Sequence, residues 1–112
     1  MNDYAGDDFY CDVALPDIAA LDVVYDGPEV LAFHHTRPYR QVHIVVAPKR
    51  HVASLTTLAA DDEPLARELL AAVVHVAAGV EAEHGAATVL TNLGAYQDSK
   101  HLHIHVLSGD RI

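Results

Sequence analysis

The chain has 112 residues, with sixteen Asp and Glu against seven Lys and Arg, and a net charge of −9 with histidine neutral; such a field repels nucleic acid rather than binding it. With 51% apolar and 21% charged residues, the whole length, 1–112, is expected to fold as a single domain with one modest core and one site. One cysteine, Cys11, excludes an internal disulfide and the paired-cysteine half of a zinc site, and its ordinary place is that of a small buried hydrophobe.

The first residues, MNDYAGDDFY, contain no basic region followed by an apolar stretch, and no later apolar run approaches a membrane span. The expected location is the cytoplasm, with no membrane partner. In LDVVYDGPEVLAFHH two β-rich runs flank Asp26-Gly27-Pro28, which predicts a hairpin with strands near 21–25 and 29–34. After the polar loop RPYRQ, broken by Pro38, the run VHIVVAP predicts a third strand, central because it is almost continuously apolar, and ended by Pro48. A short helix is expected near 55–60. Between Asp61 and His84, Leu65, Leu69, Val73, Val76 and Val80 recur at helical spacing, behind an acidic start and before Gly85 as a stop. ATVLTNL and HLHIHVL predict two more strands, joined through the loop GAYQD. About five strands, antiparallel by their short connections, with one long and one short helix make an α+β domain.

Side chains on a strand alternate between faces, so His101, His103 and His105 form one row and Leu102, Ile104 and Val106 the other. The apolar row belongs on the helix, which turns the histidines toward solvent, a partner or a ligand. Thr, Lys or Glu would solvate a strand face without placing groups that titrate near neutrality, so three histidines in register point to chemistry. Metal ligation is one such chemistry, although no Cys pair or carboxylate lies within the motif to close a structural site. Phosphate is the other: imidazole donates to phosphoryl oxygens, moves protons near pH 7 and attacks phosphorus. His34 and His43 read as buried, hydrogen-bonded strand residues, and His75 and His84 as helix-surface residues. Lys49, Arg50 and Lys100 read as solvated cations.

HLHIHVL resembles the signature of the histidine triad (HIT) family of nucleotidyl hydrolases and transferases. FYCDV, VLAFHHTRP, VHIVVAPKRHVASL and TNLGAYQDSKH are similar to other segments of that family, so the resemblance runs over roughly residues 9–109. It implies a HIT-like antiparallel sheet and a homodimer, a pairing that would also relieve an exposed sheet edge. It implies His103 as the nucleophile, His101 and His105 holding phosphate oxygens, His51 as a fourth histidine near the triad, and Asn92 and Gln97 as polar loop contacts. The implied reaction takes a nucleoside monophosphate from a phosphoramidate or dinucleoside polyphosphate through a covalent nucleotidyl-histidine. No metal or cofactor is expected for it. Two other readings of the same scaffold are a non-catalytic nucleotide-binding module and a metal-binding protein using the histidine row.

Departures from the family pattern bear on the substrate. His35 stands where relatives carry an Asp that binds both ribose hydroxyls, which predicts weak recognition of unmodified ribonucleotides. Asp98 follows the loop Gln where a hydroxyl residue is usual, with Ser99 one place later. Asp8 stands where zinc-holding members have a second Cys, which predicts that this zinc is absent. The seven residues after His105 are too few for the tail with which one branch shapes its neighbour's site.

Overall fold

The computed structural model describes residues 6–112; residues 1–5, the start of the expected domain, lie outside the described residues. Five antiparallel strands form one sheet: β1 (Val23–Asp26), β2 (Val30–His34), β3 (Arg40–Pro48), β4 (Thr88–Leu90) and β5 (Ile104–Arg111), in the order β1-β2-β3-β5-β4. The hairpin at Asp26-Gly27-Pro28 closes as expected, with Gly27 N–H donating to Val30 C=O at 2.9 Å. β3 is central, between β2 and β5.

Helix α1 (Glu63–His84) buries Leu65, Leu69, Ala72, Val76 and Val80, while Val73 lies at the margin of that face. Pro64 occupies its first turn, and Gly85 ends it at φ +83°, a left-handed conformation glycine adopts without a Cβ clash. The expected short helix near 55–60 is two separate 3-10 turns, Leu55–Thr57 and Ala60–Asp62, the first capped by reciprocal bonds between Ser54 and Thr57. The strand expected over 87–93 shrinks to Thr88–Leu90, and Gly94–Tyr96 forms another turn. The last strand begins at Ile104 rather than His101: its ladder with β3 stops at the Val46–Ile104 pair, and Leu102 N–H donates instead to Val52 C=O at 2.6 Å.

There are two apolar layers rather than one. Val30, Ala32, Ile44, Val46, Leu102 and Val106 pack against α1 on one face. On the other, Leu31, Phe33, Val45 and Ala47 pack under Tyr10 and Ala14. The cover on that second face is an N-terminal segment of helical turns, Tyr10–Ala14 and Leu15–Ala20, where the sequence reading places no element. The physical demand was visible: β2 and β3 are apolar at successive positions, so both of their faces require cover. Among the described residues no helix is long and apolar enough to cross a membrane.

Candidate active site

The alternation in HLHIHVL holds: Leu102 and Val106 are buried on the α1 side with Ile104 half-buried beside them, and the histidine row faces the other way. It does not face solvent. His101 is 0% exposed and His103 and His105 are 5% exposed, because the N-terminal segment lies over them, with the Tyr10 ring stacked on His103 at 4.9 Å. Beside that cover a cavity of about 360 Å³ opens among Phe9, Tyr10, Phe33, His35, Tyr39, Asp98, Ser99, His103 and His105.

Fixed hydrogen-bond partners assign the proton on each pocket histidine, because a carbonyl only accepts and a backbone N–H only donates. His103 Nδ1 lies 2.7 Å from the carbonyl of His101 and must donate to it, which leaves the lone pair on Nε2. Burial, against the pull of that carbonyl, holds this imidazole below the ordinary histidine range, so the neutral form prevails near pH 7. A three-step relay sets His105. Tyr39 N–H donates to His43 Nδ1 at 3.3 Å, so His43 carries its proton on Nε2 and donates to His105 Nδ1 at 2.8 Å. His105 is therefore left with an Nε2–H. Burial and the neighbouring imidazoles push His43 down to about 3 and His105 down to about 4, which preserves these neutral tautomers. The His103 and His105 rings are 4.9 Å apart and near perpendicular at 72°, so an unshared lone pair and a donor stand side by side.

The other expected site residues divide. His35, Asp98 and Ser99 line the pocket, and Ser99 Oγ accepts from Phe9 N–H at 2.9 Å, tying the cover to the loop before the row. Gln97 is buried and donates to the Ala53 carbonyl at 2.6 Å, while Asn92 is half-buried; neither lines the pocket. His101 also departs from the role the resemblance implies. Its Nε2 donates to the Pro48 carbonyl at 2.8 Å and its Nδ1 faces Cys11 Sγ at 3.4 Å and the Asp8 carboxylate at 3.2 Å, so no ring nitrogen is left for a phosphate. What His101 presents to the pocket histidines is its backbone carbonyl. His51 lies outside the pocket too, hydrogen-bonded to Asp8 at 2.5 Å and edge-on to His101.

His43 is the site residue that the sequence reading set aside as structural. The signal was available: the same two-residue period places His43, Val45 and Ala47 on one face of β3, and Val45 is paired with His105.

Asp8, Cys11, His51 and His101 bring four donor atoms within 4.8 Å of one another. A carboxylate, a thiol and two imidazoles are all zinc donors, so this set fits a tetrahedral divalent cation although a second cysteine is lacking. A cation there would pin the N-terminal segment to the end of β3 and would supply no group to the pocket. Burial and the adjoining Asp8 raise the Cys11 thiol to about 11, so loading would have to displace its proton. Asp8 itself is held below the usual carboxylate range; burial opposes this, but the Cys11 N–H, His101 and His51 outweigh it.

An antiparallel five-stranded sheet with a histidine row running into its last strand and one crossing helix is the architecture of the HIT class of α+β proteins. A HIT domain family model matches residues 19–112. An uncharacterised HIT-like protein of Synechococcus elongatus is 38% identical over 89 residues, 79% of this chain and 78% of its own length. Protein HitA of Neisseria gonorrhoeae is 31% identical over 99 residues, 88% of this chain and 92% of its own. Among solved structures, a HIT family hydrolase from Legionella pneumophila superposes with a TM-score of 0.77 at 26% identity, covering 91% of this chain and 92% of that one. A hypothetical histidine triad nucleotide-binding protein from Sulfolobus tokodaii gives 0.74 at 26% identity, covering 90% of this chain and 68% of that one. The chain belongs to the HIT family.

Proposed function

We propose that this protein transfers or hydrolyses the nucleoside monophosphate of a phosphoramidate or dinucleoside polyphosphate, through a nucleotidyl adduct on His103. The observation that carries the reading is the opposed tautomers of the pocket: a lone pair on His103 Nε2 beside a donor on His105 Nε2. Attack by His103 forms a phosphorus–nitrogen bond and expels the leaving group, which takes a proton from water. Positive charge then builds on the imidazole, and the His101 carbonyl at Nδ1 stabilises it. His105 Nε2–H meets the charge spread over the phosphoryl oxygens. A water or another acceptor attacks the same phosphorus, breaks the bond to nitrogen and restores the neutral ring. The naming of the Legionella neighbour as a hydrolase and of the Sulfolobus neighbour as nucleotide-binding supports the reaction and ligand class. The active form is proposed to be a homodimer.

His103→Ala tests the nucleophile. Turnover of a panel of adenosine and guanosine phosphoramidates and dinucleotides should fall by several orders of magnitude, while monophosphate binding stays within a few fold. Rapid quenching and mass spectrometry of the unmodified protein should map the adduct to His103. Near-normal turnover in the variant, or an adduct on His105, would overturn the assignment.

A further inference from the structure

We propose that His35 makes the end of the pocket beyond His105 a receptor for a second anionic group on the substrate, a phosphate carried on the nucleotide's sugar, in preference to free sugar hydroxyls. This rests on the reading that the nucleotide's 5′-phosphorus meets His103. The polarity of the ring carries the inference. Arg37 N–H donates to His35 Nδ1 at 2.9 Å, so the ring proton is on Nε2. Nε2 meets no hydrogen-bond partner among the described residues, and Arg40 Nε is the one buried side-chain nitrogen or oxygen left unpartnered among them. His35 Nε2–H is therefore open to the pocket that the residue lines.

The ring is held in that attitude. It stacks on His43 at 4.2 Å and 24°, and lies 6.1 Å from the His105 ring, about one sugar ring beyond the phosphate site. Thr36 and Arg37 line the same end. The Nε2–H of His35 only donates, whereas a pair of free hydroxyls brings two protons that need acceptors. A phosphate brings acceptors alone, and hydrogen bonds to an ionised acceptor are the stronger kind. Asp98 is the carboxylate of the pocket lining; it is exposed on the loop before the histidine row. It is the charged acceptor there that would favour the hydroxyls instead, which sets up the rival outcome.

Isothermal titration calorimetry of the full chain decides it, using adenosine and guanosine 5′-monophosphates, their 2′-deoxy forms and their 3′,5′-bisphosphates. The bisphosphate of at least one base should bind about tenfold or more tighter than its 5′-monophosphate, and the deoxy form within about twofold of the monophosphate. His35→Asp should reverse the preference by supplying acceptors and a like charge. Equal affinity for monophosphate and bisphosphate in the unmodified protein overturns the inference and leaves the nucleotide reading standing. A preference for the monophosphate that disappears in Asp98→Asn overturns it in favour of Asp98 as the sugar acceptor. Binding of none of the six ligands overturns both the inference and the nucleotide reading beneath it.

Discussion

His43 shows how a backbone amide reaches the chemistry through two side chains. The Tyr39 N–H fixes the tautomer of His43, and His43 fixes that of His105, so a donor is aimed into the pocket without any charged residue being buried. Removing the middle of the relay frees His105 to carry its proton on either nitrogen. His43→Ala should therefore lower kcat by about a hundredfold and leave KM within a few fold, since the change acts on orientation rather than on substrate contact. The pH profile supplies an independent readout. Burial first, and then the neighbouring imidazoles, hold His105 down at about 4. Burial likewise holds His103 below the ordinary histidine value, so in the unmodified protein the acid limb of kcat/KM, where the His103 lone pair is protonated, should lie below about 6.5. Without His43 part of the burial of His105 and the hydrogen-bond donor on its Nδ1 are gone, so His105 takes up its second proton at higher pH, a shift that NMR titration of the ring should read. A His105 titration unmoved in the variant would sink the relay.

At the scale of elements, the N-terminal turns complete the site. Tyr10 is 3% exposed, stacks on His103 and packs on Phe33, so one side chain joins the second apolar layer to the histidine row. Ser99 accepts from Phe9 N–H, and Asp8 bonds His51 and faces His101, so the segment is anchored at the loop and at the end of β3. Tyr10→Ala should cost about 3 kcal/mol, on the scale of aromatic truncation in a core. Hydrogen exchange should quicken at the N-terminal turns and at residues 101–103 while α1 keeps its protection, because α1 packs on the opposite face of the sheet. Uniform loss of protection across both layers would mean that the segment is no separate unit.

At the scale of the whole molecule, apolar side chains among the described residues stand exposed on β4 and on α1. β4 is an edge strand on which Val89 is 47% exposed, and on the outer stripe of α1 the i,i+4 pair Leu70 and Val74 is 65% and 57% exposed. An unpaired strand edge with an apolar side chain invites a second chain, and two-fold pairing is the commonest closed solution. Light scattering at micromolar concentration should return twice the mass of one chain. The double variant Val89→Lys, Val74→Glu should return a single mass with α1 still folded by circular dichroism. A wild-type protein that is monomeric across that range would refute the dimer.

Periodicity alone settled much of the architecture. A run of apolar residues at helical spacing dictates α1, and two-residue alternation dictates which side of the last strand holds Leu102 and Val106, because these are properties of a single element's own geometry. The histidine row and its opposite apolar row were legible for that reason. The pocket was not, because it depends on what distant segments bring to that face. The cover over the row comes from residues 8–20, whose turns show no clean period, so nothing local marked them as a lid on the sheet. His43 and His105 are 62 residues apart in the chain, and only the β3–β5 register puts their nitrogens 2.8 Å from each other. The role of His101 was likewise decided in three dimensions: alternation places it in the row, but Pro48, Cys11 and Asp8 take up both ring nitrogens. Spacing in the chain determines which face a side chain occupies, whereas proton position and access depend on partners that only tertiary packing supplies.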